Sequence, residues 1–167
     1  MKKLGVVVAR FQVPHLHEGH RYLLEQASKE SDVLLVLLGY KVNQPDSKNP
    51  LSLSVRKGML RQTLASIDGI GPYIVGEIED NPISNEAWSE DLDEIITEHV
   101  RTLEAGDQDQ VEVCLYGSRD SFIKYYHGIF NHVTLDEKGT ISGTEVRKAI
   151  VLLPQYLYLY LVSCYFF

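Results

Sequence analysis

Apolar, β-branched runs recur along this chain with helical patterns between them, and that rhythm limits the fold more than any other feature. Leu4–Val8, Val33–Leu38 and Val111–Tyr116 are apolar or β-branched runs with little polar alternation. Strands of that kind have both faces covered, as in a parallel sheet flanked by helices. Tyr73–Gly76 and His132–Leu135 are two further strand candidates. His20–Lys29, Ser54–Ser66, Glu86–Glu104, Asp120–Tyr126 and Ser142–Ile150 read as helices. The order is strand, helix, strand, so the expected class is α/β: a doubly wound parallel sheet of about five strands in a single domain. That domain is expected over 1–150, followed by an apolar tail over 151–167. Ligands of such folds bind beyond the carboxyl ends of the strands, where the strand order reverses.

A chain of 167 residues is long enough for one real core. Its net charge of −7 disfavours sequence-independent nucleic-acid binding, which needs a basic surface. Cys114 and Cys164 form no C-x-x-C pair, and Cys114 falls in a strand-like run, so a buried structural thiol is the expectation. Without a disulfide framework, a reducing cytoplasmic setting is expected. The Met1-Lys2-Lys3 start imitates a secretory leader, but the apolar run stops at Arg10, too soon for one.

The tail carries no charge from Ala149 to Phe167, and Tyr and Leu alternate from Tyr156 to Leu161. A packed or subunit-contacting segment, hence a possible homo-oligomer, suits that pattern. An altered terminus and a membrane anchor are the rival readings, the anchor weakened by Pro154, Gln155 and the tyrosines. Lys41 to Pro50 is a polar loop after the second strand, and reads equally as a flap over the crevice or as a plain connection.

The chemistry gathers at two strand-to-helix corners. His17-Glu18-Gly19-His20 lies between the first strand and the first helix. Unpaired N–H groups and the helix dipole favour phosphate there, two imidazoles can donate to its oxygens, and Gly19 lets the backbone come close. The rival readings are a solvated histidine-rich turn and a metal site made of His15, His17 and His20. The H-E-x-x-H pattern is not present. The second corner is Ile141-Ser-Gly-Thr-Glu-Val-Arg147. Ser142 and Glu145 form a capping box, while Thr144 and Arg147 add a hydroxyl and a cationic fork that suit a polyphosphate.

Arg10-Phe-Gln, His17-x-Gly-His20 and Ile141-Ser-x-Thr-x-x-Arg147 together resemble the motifs of the HxGH nucleotidyltransferase superfamily. The likeness is nearest to archaeal-type nicotinamide mononucleotide (NMN) adenylyltransferases and to the adenylyltransferase domain of bifunctional enzymes that also carry a Nudix domain. It runs from about Lys3 to Ile150, and takes in Asn49-Pro-Leu-Ser…Arg56, Asp80…Trp88 and Leu115-Tyr-Gly-Ser-Arg-Asp120. The chain departs from the family pattern in having Ala9 in place of a glycine, Val13 after Gln12 and two extra residues before His17. An apolar tail stands where the family has a polar helix, and no Nudix pattern follows.

The resemblance implies a Rossmann-like nucleotidyltransferase fold and assigns roles position by position. His17, His20 and Arg147 are the catalytic candidates. Arg10, Phe11, Gly19, Ser142, Thr144 and Arg119 are placed at ATP, and Trp88, Asp80 and Asp120 at the acceptor. Trp88 suits stacking on a pyridinium ring, and equally a core anchor. Arg56 reads as a surface ion-pair residue. The implied reaction joins NMN to ATP, giving NAD and pyrophosphate, with Mg²⁺ riding on the triphosphate rather than in a carboxylate cage. The alternatives are a sister adenylyl- or cytidylyltransferase with another phosphorylated acceptor, a non-catalytic nucleotide-binding regulator and, more remotely, a metallohydrolase.

Overall fold

The structure, a computed structural model, describes residues 1–13, 16–43, 45–46, 48–81, 83–107, 110–118 and 121–136. The first half alternates β1 (Lys2–Ala9), α1 (Glu18–Lys29), β2 (Val33–Tyr40), α2 (Leu53–Ser66) and β3 (Tyr73–Glu79). The long helix α3 (Asn85–Asp107) then leads to β4 (Val111–Ser118), a single 3-10 turn (Phe122–Tyr125) and β5 (Asn131–Leu135). All strand pairs are parallel, in the order β3-β2-β1-β4-β5. This is the doubly wound α/β sheet of five strands, a Rossmann-like fold, that the apolar rhythm predicts.

Strand alternation sorts the core onto the two faces of the sheet. Val7, Leu34, Val36 and Tyr116 pack with Leu24 of α1 and Leu60 and Leu64 of α2. Their neighbours Leu4, Val6, Val8, Leu35, Leu37 and Leu115 pack with Leu92 and Ile96 of α3. Both faces are therefore dry at β1 and β2, which explains the continuous apolar runs; burying one such side chain contributes about 1.5–3 kcal/mol. Cys114 is buried in β4, as its strand context suggests.

The chain winds outward from β1 to β3 and then returns across the sheet to β4. The strand order thus reverses between β1 and β4, and the crevice opens at the carboxyl ends of those strands. Capping residues set the helix starts around it. Ser52 Oγ accepts from Val55 N (3.4 Å) at α2, and Ser84 Oγ accepts from Ala87 N (3.0 Å) at α3.

Several boundaries shift from their expected places. β3 runs on past Gly76 to Glu79, and α1 begins at Glu18. The helix expected over 120–126 is only the 3-10 turn: Ser121 Oγ accepts from Ile123 N, and Tyr126 is already extended (φ −85°, ψ 123°). The turn folds back tightly over β4, since a Cβ at Gly117 would lie 2.7 Å from Ile123 Cδ1. Beyond it, Asp93 of α3 accepts from Tyr126 Oη and from Ile129 N (2.9 Å), fixing the approach to β5. Ser142–Ile150 and the apolar tail lie outside the described residues. Among the described residues, no helix is long and apolar enough to cross a membrane.

Candidate functional site

A cleft of about 890 Å³ sits at the carboxyl edge of the sheet, lined from β1 by Val8 and Ala9, from β2 by Gly39, from β3 by Glu79 and from β4 by Ser118. Arg10, Phe11 and His20 lie on its wall together with Asp80, Trp88, Phe122 and Tyr125. Five of the residues assigned from sequence to two different ligands, Arg10, Phe11, His20, Asp80 and Trp88, therefore share one cavity.

The histidine corner follows from how α1 begins. His17 is its N-cap in extended conformation (φ −67°, ψ 168°), and its carbonyl accepts from His20 N (2.9 Å) and Arg21 N (3.1 Å). No side chain caps this end. Gly19 occupies the first turn, between the two histidines. The His17 and His20 rings stack, with centroids 3.6 Å apart and planes 25° from parallel. Phe11 meets His20 edge-on at 4.8 Å. Phe11 is buried yet has φ +44°, a conformation bulky side chains rarely adopt, so the bend after β1 is held by its surroundings.

Those surroundings are two interlocking contacts. Buried Gln12 donates from Nε2 to Leu51 O (3.2 Å) and accepts from Leu51 N (2.9 Å) at Oε1. Arg56 of α2 is 1% exposed, and its Nη1 donates to Arg10 O (2.7 Å) and Gly39 O (2.9 Å). This corrects the reading of Arg56 as a surface ion-pair residue: it is a buried strut joining the ends of β1 and β2. Burial and the nearby Arg10 cation lower its pKa to about 10, against the opposing pull of Asp80, so it stays charged at neutral pH.

Arg10 Nη2 donates to Asp80 Oδ2 in an ion pair over the cleft floor, with side-chain exposures of 49% and 22%. Trp88 is half-buried near the start of α3 and meets Phe122 edge-on at 6.0 Å, and both rings line the cleft. Phe122 and Tyr125 escape sequence reasoning because nothing along the chain shows that the turn after β4 carries them to the cleft. Along the 41–50 loop, Lys41, Val42, Asn43 and Asp46 reach the cleft. Asp46 Oδ1 accepts from Lys48 N and Asn49 N (each 2.7 Å), and the Asn49 bonds hold its carboxyl below the usual carboxylate range.

Arg119, Asp120, Ser142, Thr144 and Arg147 lie outside the described residues, as does His15 of the three-histidine metal reading. Among the described residues, no group of three or more His, Cys, Asp or Glu side chains is placed to hold a metal ion.

Burial lowers the pKa of His17 below its usual 6.5. The neutral ring thus predominates at pH 7, and without ligand its contribution to folding stability is fully present above pH 6.5 and is lost as pH falls further. A polyanion at this corner favours the charged form and raises the pKa. Binding of an ATP analogue is therefore expected to take up protons near pH 7 and to tighten between pH 8 and 6. Calorimetry in buffers of different ionisation enthalpy checks this, and His17→Gln is expected to abolish the uptake.

The described residues define a doubly wound α/β domain with its cleft at the switch point. Its three-dimensional likenesses are more particular. A bifunctional NMN adenylyltransferase/ADP-ribose pyrophosphatase from Francisella tularensis, solved with AMP and a manganese ion, superposes with a TM-score of 0.73 at 21% identity, covering 98% of this chain and 49% of that one. The NadR protein complexed with NR gives 0.55 at 17% identity, covering 95% and 42%. Plasmodium falciparum nicotinic acid mononucleotide adenylyltransferase complexed with NaAD gives 0.55 at 12% identity, covering 99% and 94%. The chain thus spans about half the length of the Francisella protein. At these identities the likeness establishes the shared fold. No protein-family model and no curated protein matches the sequence.

Proposed function

We propose that this chain is a nucleotidyltransferase that transfers AMP from ATP to nicotinamide mononucleotide, giving NAD and pyrophosphate. The observation that carries the reading is one cleft lined both by His20, in the first turn of α1 with its ring stacked on His17, and by Trp88 of α3. The fold shared with proteins described as NMN and nicotinic acid mononucleotide adenylyltransferases supports it.

An oxygen of the NMN 5′-phosphate attacks the α-phosphorus of ATP in line. The new P–O bond forms as the bond to the β-phosphate bridge breaks, and pyrophosphate leaves with the electron pair. No protein nucleophile takes part; the residues position the reactants and stabilise charge. His17 and His20 donate to the triphosphate oxygens as negative charge moves toward the leaving group. Ser142, Thr144 and Arg147, with Arg119, are assigned to the phosphates by sequence resemblance. Trp88 stacks on the pyridinium ring, while Asp80 and Asp120 serve the acceptor ribose.

Mg²⁺ would fit this site as a companion of the substrate's phosphates, because Asp46 is engaged by its own turn and no group of three or more His, Cys, Asp or Glu side chains among the described residues is placed to hold a metal ion. When bound it neutralises charge on the departing pyrophosphate.

Pyrophosphate release from ATP plus NMN is the decisive assay, with nicotinic acid mononucleotide, pantetheine phosphate and CTP as comparators. Release with ATP and pantetheine phosphate but not NMN moves the assignment to a sister transferase; binding without release leaves a regulator. Trp88 is the only tryptophan, so NMN is expected to quench the intrinsic fluorescence. No quenching of the wild type at NMN concentrations that calorimetry shows to be saturating removes Trp88 from the acceptor pocket.

A further inference from the structure

Two residues assigned to different substrates hold each other in the ligand-free protein. Arg10 is assigned to phosphate and Asp80 to the acceptor, yet Arg10 Nη2 donates to Asp80 Oδ2. The pair lies flat over Gly39, where a Cβ would touch both Arg10 Cγ and Asp80 Oδ1 at 3.5 Å. Directly beneath, buried Arg56 binds the Arg10 and Gly39 carbonyls, so the backbones under the pair are fixed and only the two side chains are left to move.

We infer that Asp80 is a shared partner that couples the two substrate subsites: ATP draws Arg10 onto its phosphates and releases Asp80 to accept from the acceptor's ribose hydroxyls. This deepens the adenylyltransfer reading and rests on it. Whichever substrate arrives first must open the pair, and the second then binds without that cost. The coupling is accordingly positive and reciprocal. Arg10 is half exposed, which places the effect at the low end of the usual range, about fivefold.

The test uses α,β-methylene ATP and NMN, with the affinity of each measured by calorimetry in the absence and presence of the other. In the wild type each is expected to tighten the other. In Asp80→Asn the analogue alone binds about fivefold more tightly, NMN alone binds more weakly, and the coupling factor falls about fivefold. Arg10→Gln is expected to show the mirror image: NMN alone tightens, the analogue alone weakens, and the coupling again falls. Because the two variants move the single-ligand affinities in opposite directions, general loss of fold does not imitate the pattern. Binding of both ligands to the wild type with a coupling factor unchanged in Asp80→Asn overturns the exchange and leaves adenylyltransfer standing. No binding of either ligand to the wild type overturns both.

Discussion

Replacing His20 by alanine is expected to lower the turnover number for pyrophosphate release by on the order of 10²–10³, the usual consequence of removing one preorganised donor to developing charge. His20 lines the cleft and is clamped between two rings, His17 at 3.6 Å and Phe11 at 4.8 Å. That clamp fixes the imidazole plane before substrate arrives, so little reorganisation accompanies the reaction. The stack also bears on charge: two imidazolium rings at that spacing repel, and the lowered pKa of His17 keeps one of them neutral at pH 7. His20→Ala removes one edge contact to buried Phe11 but no member of the apolar core itself, so KM and melting temperature are expected to change far less than turnover. Near-normal turnover in that variant removes His20 from the mechanism.

Arg56→Met is expected to cost about 2–4 kcal/mol of stability, from two main-chain carbonyls left without their buried donor. For a domain of this size that is a fall in Tm of about 6–12 °C. Methionine reaches only as far as Nε of the lost side chain, so the loss combines the two hydrogen bonds with the space that the guanidinium head vacates. Arg56→Lys keeps a charge and a nitrogen with hydrogens to donate, and is expected to recover part of the loss. Activity should fall in both variants, since the strut sets where β1 ends and hence where Arg10 and Phe11 stand. A melting temperature for Arg56→Met within a degree of the wild type contradicts this role.

The sequence announces the central sheet because its strands are covered on both faces, and nothing but continuous apolar runs satisfies that burial. It announces the histidine corner because a strand end, a glycine and a helix start fall together in a few residues. The pairing of Gln12 with Leu51 and of Arg56 with Arg10 joins segments that the motif resemblance singles out separately. Spacing along the chain carries no sign that those segments interlock, so the buried strut passes for a surface charge. The turn after β4 is misjudged for a different reason. Its apolar residues mimic a helical face, but Gly117 lets the chain fold back before a second turn can form. The Arg10–Asp80 pair is equally hidden, because it depends on the register across β2, in which the last residue of β1 is level with Glu77 and β3 runs two residues further.

The position of β1 in the sheet has a consequence for how the protein is made. β1 leaves the ribosome first, and β2 and β3 can join one of its edges as they follow. Its other edge pairs with β4, which is synthesised only after the whole of α3. Throughout that interval a strand rich in valine carries an open row of main-chain donors and acceptors, a template for the wrong neighbour. A nascent chain stalled before residue 111 therefore has half a cleft and, besides the outer edge of β3, an unpaired edge on β1 that the finished sheet covers.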